Sequence, residues 1–362
     1  MINKKRLVNT FLELVKIDSP SGEEANVAKE VAKRLKTLGG KVEFDKHGNI
    51  IAKFKGQGEQ LLLNAHLDTV EPGRGIKPRV GKARITTDGS TVLGADDKAG
   101  LSVIIEALTS IKENKTPYQS LEVVLTLGEE VGLLGAKGLD YSKISAKEGV
   151  SFDGHESVGE ILMAAPGLHK VDVTVTGRSA HAGVEPEKGI SAIQIASLMI
   201  SRLQVGRIDF ETTANIGLIE GGSARNAVAE RAHFKGEIRS RSKEKLDQHI
   251  AHFQEVMNGV MVDFKEAQLE LEIESEAGPI NFSEEDSIIK RALAICKKLK
   301  IKPNLAPTGG LADANIFGEH GLSIAVVGAG AHNMHTKREY LDLKEFIESA
   351  NFALELIKYN ND

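Results

Sequence analysis

The chain has 362 residues, of which 41% are hydrophobic and 27% are charged, so it has the composition of a globular protein long enough for two domains. The formal net charge is -5 and the basic residues are scattered, which argues against a nucleic-acid-binding protein. No apolar run approaches the ~20 residues of a membrane span, and charges interrupt the N-terminal stretch where a signal peptide would be apolar. The single cysteine, Cys296, excludes an internal disulfide and favours a reducing, cytoplasmic location. We interpret it as a buried apolar residue rather than a nucleophile.

The first part of the chain alternates helices with apolar strands. Amphipathic helices are predicted over 3–17 and 23–38, the second with Ser21 as its cap and the Gly39-Gly40 pair as its end. KVEFDK, NIIAKFKG, QLLLNAH and LEVVLTLG are typical strands, and a helix over 97–112 precedes the last of them. Continuously apolar strands between helices predict an α/β domain with a largely parallel sheet.

The pattern changes after Pro166-Gly167, where half-exposed strands and helices follow in the order β-α-β-β-α-β up to Gly278-Pro279. The α/β pattern then resumes with the strand LSIAVVG and three helices, which cover 284–299, 311–319 and 343–358. We therefore predict one α/β domain formed by residues 1–166 and 278–362, interrupted by an inserted domain at residues 167–277.

Acids and histidines lie at the ends of the predicted buried strands. His66 and Asp68 point to the same side of an extended chain, as when a carboxylate orients a metal-binding imidazole, although a hydrogen-bonded surface pair is an equal alternative. The other candidates follow further strands or open a helix, and they are Asp96, Asp97, Glu129, Glu130, Asp153, His332 and His335. The carboxyl ends of parallel strands converge on one side of a sheet, so these side chains are expected to meet.

The adjacent Asp96 and Asp97 in LGADDKAG allow two interpretations. An acid at a helix start caps a free backbone N–H and complements the helix dipole, which is the simpler explanation. The alternative is a carboxylate shared by two metal ions. Nitrogen and oxygen donors without cysteine suit zinc, cobalt or manganese, and a free glutamate could then act as general base.

Eight segments, spread over nearly the whole chain, resemble in type and order those of the cocatalytic dizinc peptidase family of peptidase T, carboxypeptidase G and the aminoacylases. The matching segments are NAHLDTV, GADDKAG, LGEEVGLLGAKGL, SFDG, GRSAHAG, GGSARNAVAE, GEIRSR and HNMHTKREYL. The resemblance implies a mainly parallel-sheet zinc-exopeptidase catalytic domain. It also implies that the inserted domain is a ferredoxin-like β-α-β-β-α-β lid and dimerisation domain.

The resemblance further implies two divalent metal ions, with zinc the leading candidate and cobalt or manganese as alternatives. His66 and Asp153 match the ligands of one ion. Glu130 and His335 match the ligands of the other, and Asp96 matches the bridging carboxylate.

Three positions beside these ligands also match the family pattern. Glu129 matches the general base, Asp68 the acid that holds His66, and Asp97 the partner in an Asp–Asp peptide that aims the bridge. His335 is preferred to His332 as a ligand because the family's histidine precedes a glutamate four residues on.

Three residues of the inserted domain match lid positions. His181 resembles the histidine that polarises the scissile carbonyl, and Asn226 and Arg239 resemble residues that hold the substrate's free carboxylate. Each has a simpler alternative: His181 as a solvated loop residue, Asn226 as a turn residue, and Arg239 as an ion-pair partner of Glu237 or a nearby glutamate.

One segment departs from the peptidase T pattern. Bacterial aminotripeptidase has Arg-Gly-Gly-Thr-Asp where this chain reads TGGLAD at residues 308–313, and the role of Asp313 is not assigned. GRSAHAGVEPEKGISAI is closer to the carboxypeptidase and aminoacylase branches, whereas LLGADDKAG and FDG are closer to peptidase T.

The sequence therefore predicts a cytoplasmic, metal-dependent exopeptidase that hydrolyses short peptides in an aminotripeptidase-like manner, through a two-metal-bridged water and a glutamate general base. The alternative is an N-acyl amino acid amidohydrolase or carboxypeptidase of the same family. A catalytically silent relative that binds peptide or metal is the competing class. The expected partners are a short peptide substrate and a second copy of the chain bound through the lid domain, with no nucleic acid and no membrane.

Overall fold

A computed structural model describes residues 1–359 of the chain, which fold into two compact units. Unit 1 comprises Met1–Met163, Phe282–Thr308 and the chain from Ala312 onward. Unit 2 comprises Ala164–Asn281 together with Gly309–Leu311.

Within residues 1–359 the regular elements are nine α-helices, eighteen strands and two short 3₁₀ helices. The α-helices are α1 (Lys4–Leu14), α2 (Ala25–Leu38), α3 (Ala95–Asn114), α4 (Leu134–Gly138), α5 (Ala192–Arg202), α6 (Lys243–Met261), α7 (Ser287–Leu299), α8 (Asp313–Glu319) and α9 (Leu343–Ile357). The strands are β1 (Lys41–Phe44), β2 (Ile50–Phe54), β3 (Gln57–His66), β4 (Arg79–Val80), β5 (Arg84–Thr86), β6 (Gln119–Thr126), β7 (Glu148–Gly154), β8 (Glu160–Ala165), β9 (Gly167–Thr176), β10 (Gly206–Arg207), β11 (Thr212–Gly221), β12 (Arg231–Ser240), β13 (Gln268–Ala277), β14 (Ile280–Asn281), β15 (Asn304–Pro307), β16 (Ser323–Gly328), β17 (Ala331–His332) and β18 (Tyr340–Asp342). The 3₁₀ helices are Tyr141–Lys143 and Pro186–Lys188.

The main sheet of unit 1 has the strand order β1-β2-β6-β3-β7-β16-β8, with β15 beside β8. Its centre is parallel, since β3 runs parallel to β6 and β7, and β16 runs parallel to β7. Leu61, Leu62 and Leu63 point to alternate faces of β3 and all are buried, so both faces of the sheet are covered. The predicted α/β fold with a mostly parallel central sheet is confirmed.

Unit 2 is a single antiparallel sheet with the order β10-β11-β12-β9-β13, on which α5 and α6 pack. Val171, Val173 and Val175 line one face of β9 and are buried against the helices, while the intervening Asp172 is partly exposed. One-sided burial explains the alternating pattern of these strands. The predicted β-α-β-β-α-β order is confirmed, with the two-residue β10 added.

One sequence prediction in unit 1 was wrong, and one small sheet was missed. Ser21 does not cap α2, because α2 begins at Ala25 and the Ser21 hydroxyl donates instead to Asp68 Oδ2 at 2.7 Å. The small sheet β17-β18-β5-β4 was not predicted, since strands of two or three residues carry no readable period. In the described part of the chain, no helix has both the length and the apolar character required to cross a membrane.

Candidate active site

The carboxyl ends of the parallel strands in unit 1 bring together residues that are far apart in sequence. His66 ends β3, and Asp153 lies at the end of β7. Glu129 and Glu130 follow β6, and His335 follows β16 after the short strand β17. Because β3, β6, β7 and β16 run in the same direction, these ends meet at one edge of the sheet.

Asp96 lies between two histidines from different strand ends. Its Oδ1 is 3.0 Å from His66 Nε2, and its Oδ2 is 3.1 Å from His335 Nε2. His335 has φ of 61°, a left-handed conformation that is uncommon for a residue with a Cβ and that occurs disproportionately at functional sites. The two oxygens of one carboxylate therefore face two separate nitrogen donors.

Three overlapping groups of donors at this edge could each hold a metal ion, with ligand atoms in each group within 4.8 Å of one another. The groups are His66, Asp96 and Asp153; Asp96, Glu130 and His335; and His66, Glu129 and Glu130. Asp96 belongs to the first two groups, and these two contain the five ligands that the sequence predicted.

The two acids of LGADDKAG have different partners. Asp97 Oδ1 accepts a hydrogen bond from Gly100 N at 2.9 Å, and Asp97 Oδ2 accepts one from His66 N at 3.3 Å. The backbone of Asp96 and Asp97 is non-helical, and the peptide bond between them is cis. A Cβ on Gly100 would collide with the Asp97 carboxylate, so the close approach requires glycine. The capping interpretation therefore applies to Asp97, whereas Asp96 faces the histidines.

Asp68 organises the residues around it through both of its oxygens. Oδ1 contacts His66 Nδ1 at 3.2 Å and accepts from Glu129 N at 3.0 Å. Oδ2 accepts from Ser21 Oγ at 2.7 Å and from Glu130 N at 3.2 Å. Burial opposes ionisation of Asp68, but His66 and these donors outweigh it and hold its pKa well below the usual range. One buried carboxylate thus orients an imidazole and the backbone of both glutamates.

The cluster has shifted pKa values whose causes are burial and mutual charge. Burial opposes the protonated form of His66, but carboxylates led by Asp153 outweigh it and raise the pKa of the imidazole well above its usual value. Asp96 and Glu130 raise the pKa of His335 to about 10. Burial raises the pKa of Asp153 to about 7. Burial first and Asp153 second raise the pKa of Glu129 well above its usual value. Bound cations would offset the mutual repulsion of the buried carboxylates in such a cluster.

The donors fit divalent metal ions. The described chain offers nitrogen and oxygen atoms here without sulfur, a set that suits zinc, cobalt or manganese. Glu130 Oε1 is buried and has no hydrogen-bond partner among residues 1–359, so a buried acceptor is available to a ligand. His66 has its Nδ1 on Asp68, which is the usual outer partner of a metal-binding imidazole.

Sequence reasoning did not identify Lys98, which is fully buried beside the cluster. Its Nζ donates to Leu67 O at 2.7 Å, to Asp68 O at 3.1 Å and to Thr69 Oγ1 at 2.9 Å. Burial lowers the pKa of Lys98 to about 8. A lysine directly after two acids and before the apolar run AGLSVII was the signal that could have indicated it.

The sequence alone gives Glu339 one use: its position four residues after His335 favours His335 over His332 as a ligand. Glu339 is buried and accepts hydrogen bonds from three backbone N–H groups, those of Leu93, Gly94 and Asp96. Burial and the charge of Asp96 raise the pKa of Glu339 to about 7, and the three N–H donors oppose that rise.

His332 and Asp313 take positions that the sequence left open. His332 Nε2 lies 2.6 Å from Glu345 Oε2 and its ring stacks on Tyr340, so the structure brings His335 and not His332 to Asp96. Asp313 is buried at the start of α8 and accepts from the Thr126 hydroxyl, while its Oδ1 has no partner within residues 1–359. Burial raises the pKa of Asp313 to about 6.

The three predicted lid residues lie in unit 2. The loops that carry His181 and Asn226 are paired, since Ala182 N donates to Asn226 O at 3.0 Å. The Arg239 guanidinium binds the Glu237 carboxylate through Nε at 2.9 Å and Nη2 at 3.1 Å, and its Nη1 donates to Gly309 O. The ion pair that the sequence allowed for Arg239 is therefore present, and the substrate contacts of all three residues stay predictions.

Two protein-family models match the chain. Residues 163–264 match a peptidase dimerisation domain, and residues 49–184 match peptidase family M28. The fold, the acid–histidine cluster and these matches define a metallopeptidase.

Relatives match over almost the full length. The uncharacterised protein YqjE of Bacillus subtilis is 39% identical over 99% of both chains. The crystal structure of aminopeptidase PepT from Bacillus cereus has a TM-score of 0.92 and 37% identity over 98% of both chains. A tripeptidase from Staphylococcus aureus has a TM-score of 0.94 and 34% identity, covering 99% of this chain and 98% of its own. The chain belongs to the peptidase T-like family of metallopeptidases, as its sequence motifs implied.

Proposed function

We propose that this metallopeptidase is an aminotripeptidase-like exopeptidase that holds two divalent metal ions, with zinc as the leading candidate and cobalt or manganese as alternatives. The observation that carries the proposal is the Asp96 carboxylate, whose two oxygens lie within 3.1 Å of two different histidine nitrogens. The proposed ligands are His66 and Asp153 for one ion, Glu130 and His335 for the other, and Asp96 for both. Relatives named aminopeptidase and tripeptidase support the activity.

When bound, two such ions supply a more acidic water and polarise the scissile carbonyl. Glu129 is the proposed general base: it takes the proton of the attacking water and passes it to the leaving amine. Asp68 keeps His66 in one tautomer and accepts a hydrogen bond from Glu129 N. The same carboxylate therefore positions both a proposed metal ligand and the proposed base.

Residues 167–277 are proposed as a lid and dimerisation domain, which the match to a peptidase dimerisation domain supports. In this proposal His181 polarises the substrate carbonyl, and Asn226 and Arg239 hold the substrate's carboxylate. Arginine suits that role because its planar fork meets a carboxylate with two hydrogen bonds. The protein is proposed to act as a homodimer in the cytoplasm, and its single cysteine fits a reducing compartment.

A carboxypeptidase or N-acyl amino acid amidohydrolase activity is the second candidate. It is favoured by residues 308–313, which read TGGLAD and lack the arginine of the aminotripeptidase pattern.

A substrate panel separates the two candidates. Purified protein of known oligomeric state is stripped with a chelator, reloaded with zinc, cobalt or manganese, and given free di-, tri- and tetrapeptides, an N-acetylated tripeptide and N-acetylated amino acids. We expect metal-dependent release of the N-terminal residue from the free tripeptide, and no cleavage when its amine is acetylated. Faster hydrolysis of the N-acetylated amino acids would favour the second candidate, and absence of turnover with every metal would favour a silent relative.

A further inference from the structure

We propose that Glu339 is a positioning residue that strengthens binding of the metal ion proposed on Glu130 and His335, called here the second ion. It does so by fixing the backbone that carries the Asp96 side chain. This inference rests on the proposed metal role of Asp96 and His335. The hydrogen bonds of the Glu339 side chain go to backbone N–H groups of the LGADDKAG segment.

The hydrogen bonds of Glu339 hold the backbone at Asp96 and at the residues just before it. Oε2 accepts from Leu93 N at 2.6 Å and from Gly94 N at 2.9 Å, and Oε1 accepts from Asp96 N at 3.1 Å. These N–H groups precede the helical part of α3 and have no partner in a regular helix. The Asp96 backbone has φ of -82° and ψ of 104°, so helix hydrogen bonds do not fix its direction.

The chemistry of this contact requires a carboxylate. An ionised glutamate offers two acceptor oxygens and no proton, so it accepts all three N–H groups. A glutamine of the same size has one oxygen and one NH₂ group, and the NH₂ group cannot accept from a backbone N–H. Glu339→Gln therefore leaves at least one buried N–H unpaired or turns the side chain away.

Glu339 also connects two of the three segments that carry the proposed ligands of the ion on Glu130 and His335, namely the segments of His335 and Asp96. Glu339 N donates to Thr336 O at 3.0 Å, which closes a turn directly after His335. The side chain then reaches the Leu93–Asp96 segment. The relative position of His335 Nε2 and Asp96 Oδ2, 3.1 Å apart, thus depends on one buried carboxylate.

The structure offers a matched control in Glu122. This carboxylate is also buried in unit 1, accepts from Ser145 N and Ala146 N, and pairs with Lys53. It lies in β6 and is not among the proposed metal ligands or their hydrogen-bond partners. Glu122→Gln therefore removes a comparable buried carboxylate without touching the LGADDKAG segment.

The test compares wild type, Glu339→Gln, Glu339→Asp and Glu122→Gln. Each protein is stripped of metal and dialysed against increasing Co²⁺, the bound metal is counted by mass spectrometry, and amide hydrogen exchange is followed in the peptide that contains residues 93–96. We expect two ions per wild-type chain. In Glu339→Gln the second ion should bind about 10- to 100-fold more weakly, as when other partners behind metal ligands are removed, and the amides of residues 93–96 should exchange faster. Glu339→Asp keeps the charge but is shorter, and should fall between.

The Glu122→Gln protein should bind both ions like wild type. Equal affinity for the second ion in Glu339→Gln and wild type, with unchanged exchange at residues 93–96, would overturn the inference. If Glu339→Gln does not fold, Glu339→Asp decides in the same way. A wild type that binds fewer than two ions contradicts the proposed two-metal site instead, and the exchange rates of the three amides then decide whether Glu339 fixes this backbone.

Discussion

Two histidine–aspartate pairs in this chain have the same chemistry in different surroundings. In unit 1, His66 Nδ1 lies 3.2 Å from Asp68 Oδ1, and the two side chains are 1% and 0% exposed. In unit 2, His233 Nε2 lies 3.5 Å from Asp172 Oδ1, and the side chains are 32% and 34% exposed. The separation of the groups is similar, whereas water reaches only the second pair.

The difference follows from the two kinds of sheet. β3 is parallel to its neighbours and covered on both faces, so His66 and Asp68 at its end are enclosed with the acids of neighbouring strands. β9 and β12 are antiparallel and covered on one face, so Asp172 meets His233 and Lys235 on the open face. A histidine–aspartate pair in sequence or space therefore indicates a site only where the fold buries it.

The largest expected effect concerns the buried acids and tests the proposed base. Glu129→Ala should lower kcat by about 10²- to 10⁴-fold, since a positioned proton-transfer group contributes that much, while bound metal per chain stays at the wild-type value. Steady-state kinetics and metal analysis on the same preparation measure both. The exposed Asp172 provides the control, because Asp172→Asn should leave kcat unchanged. Near wild-type turnover in Glu129→Ala would exclude Glu129 as the base.

The next prediction separates the two neighbours within unit 1. Asp96→Asn should abolish the paired metal site, because the amide cannot offer an oxygen to both positions. Asp97→Asn should weaken metal binding less and act mainly on stability, since Asp97 caps α3 through Gly100 N. Asparagine caps a helix as well as aspartate does, so the expected loss comes from the second oxygen: the amide NH₂ cannot accept from His66 N, and a buried donor left unpaired costs about 1–3 kcal/mol of unfolding free energy. Metal counting and thermal unfolding of both variants give the two readouts, and equal metal loss in both would contradict this division of roles.

The sequence could predict the residues that end strands and also Asp68, which holds His66, but not the residues that bind the backbone around the site. His66, Asp153 and Glu130 follow apolar runs, and parallel strands bring such ends together, so their convergence is a consequence of the fold. Glu339 and Lys98 bind backbone groups, and the sequence does not show which backbone groups a side chain will bind. Ser21 is a similar case: its residue type and position fit a helix cap, but in the folded protein its hydroxyl donates to Asp68.

A smaller effect is expected from pH on the metal-free protein. Burial raises the pKa of Asp153 to about 7, so its stabilising protonated form is lost as pH rises through that value. Neighbouring carboxylates raise the pKa of His335 to about 10 from an ordinary 6.5, so the stability contributed by the imidazolium is also lost as pH rises. His335 is half-exposed, so water screens its charge and reduces its contribution to the stability change.

Both groups change in the same direction, so the Tm of the chelated protein should be lower at pH 8.5 than at pH 5.5. The difference should be at least about 2–4 °C, the shift that 1 kcal/mol produces in a domain of this size. Added zinc should raise the Tm more at the higher pH, because metal ligands bind as deprotonated groups. Calorimetry at both pH values with chelator and with zinc checks this, and a chelated protein that gains stability as pH rises would contradict it.

The smallest expected effect is that of the exposed pair in unit 2. Asp172→Asn should change the unfolding free energy by about 1 kcal/mol or less, because exposed ion pairs are solvated before and after the change and Lys235 remains beside the position. Asp68→Asn is its buried counterpart and should weaken metal binding by about 10- to 100-fold, since His66 loses the carboxylate that orients it. Thermal unfolding and metal titration of the two variants measure the contrast directly. If Asp172→Asn were as damaging as Asp68→Asn, burial could not be the property that separates the two pairs.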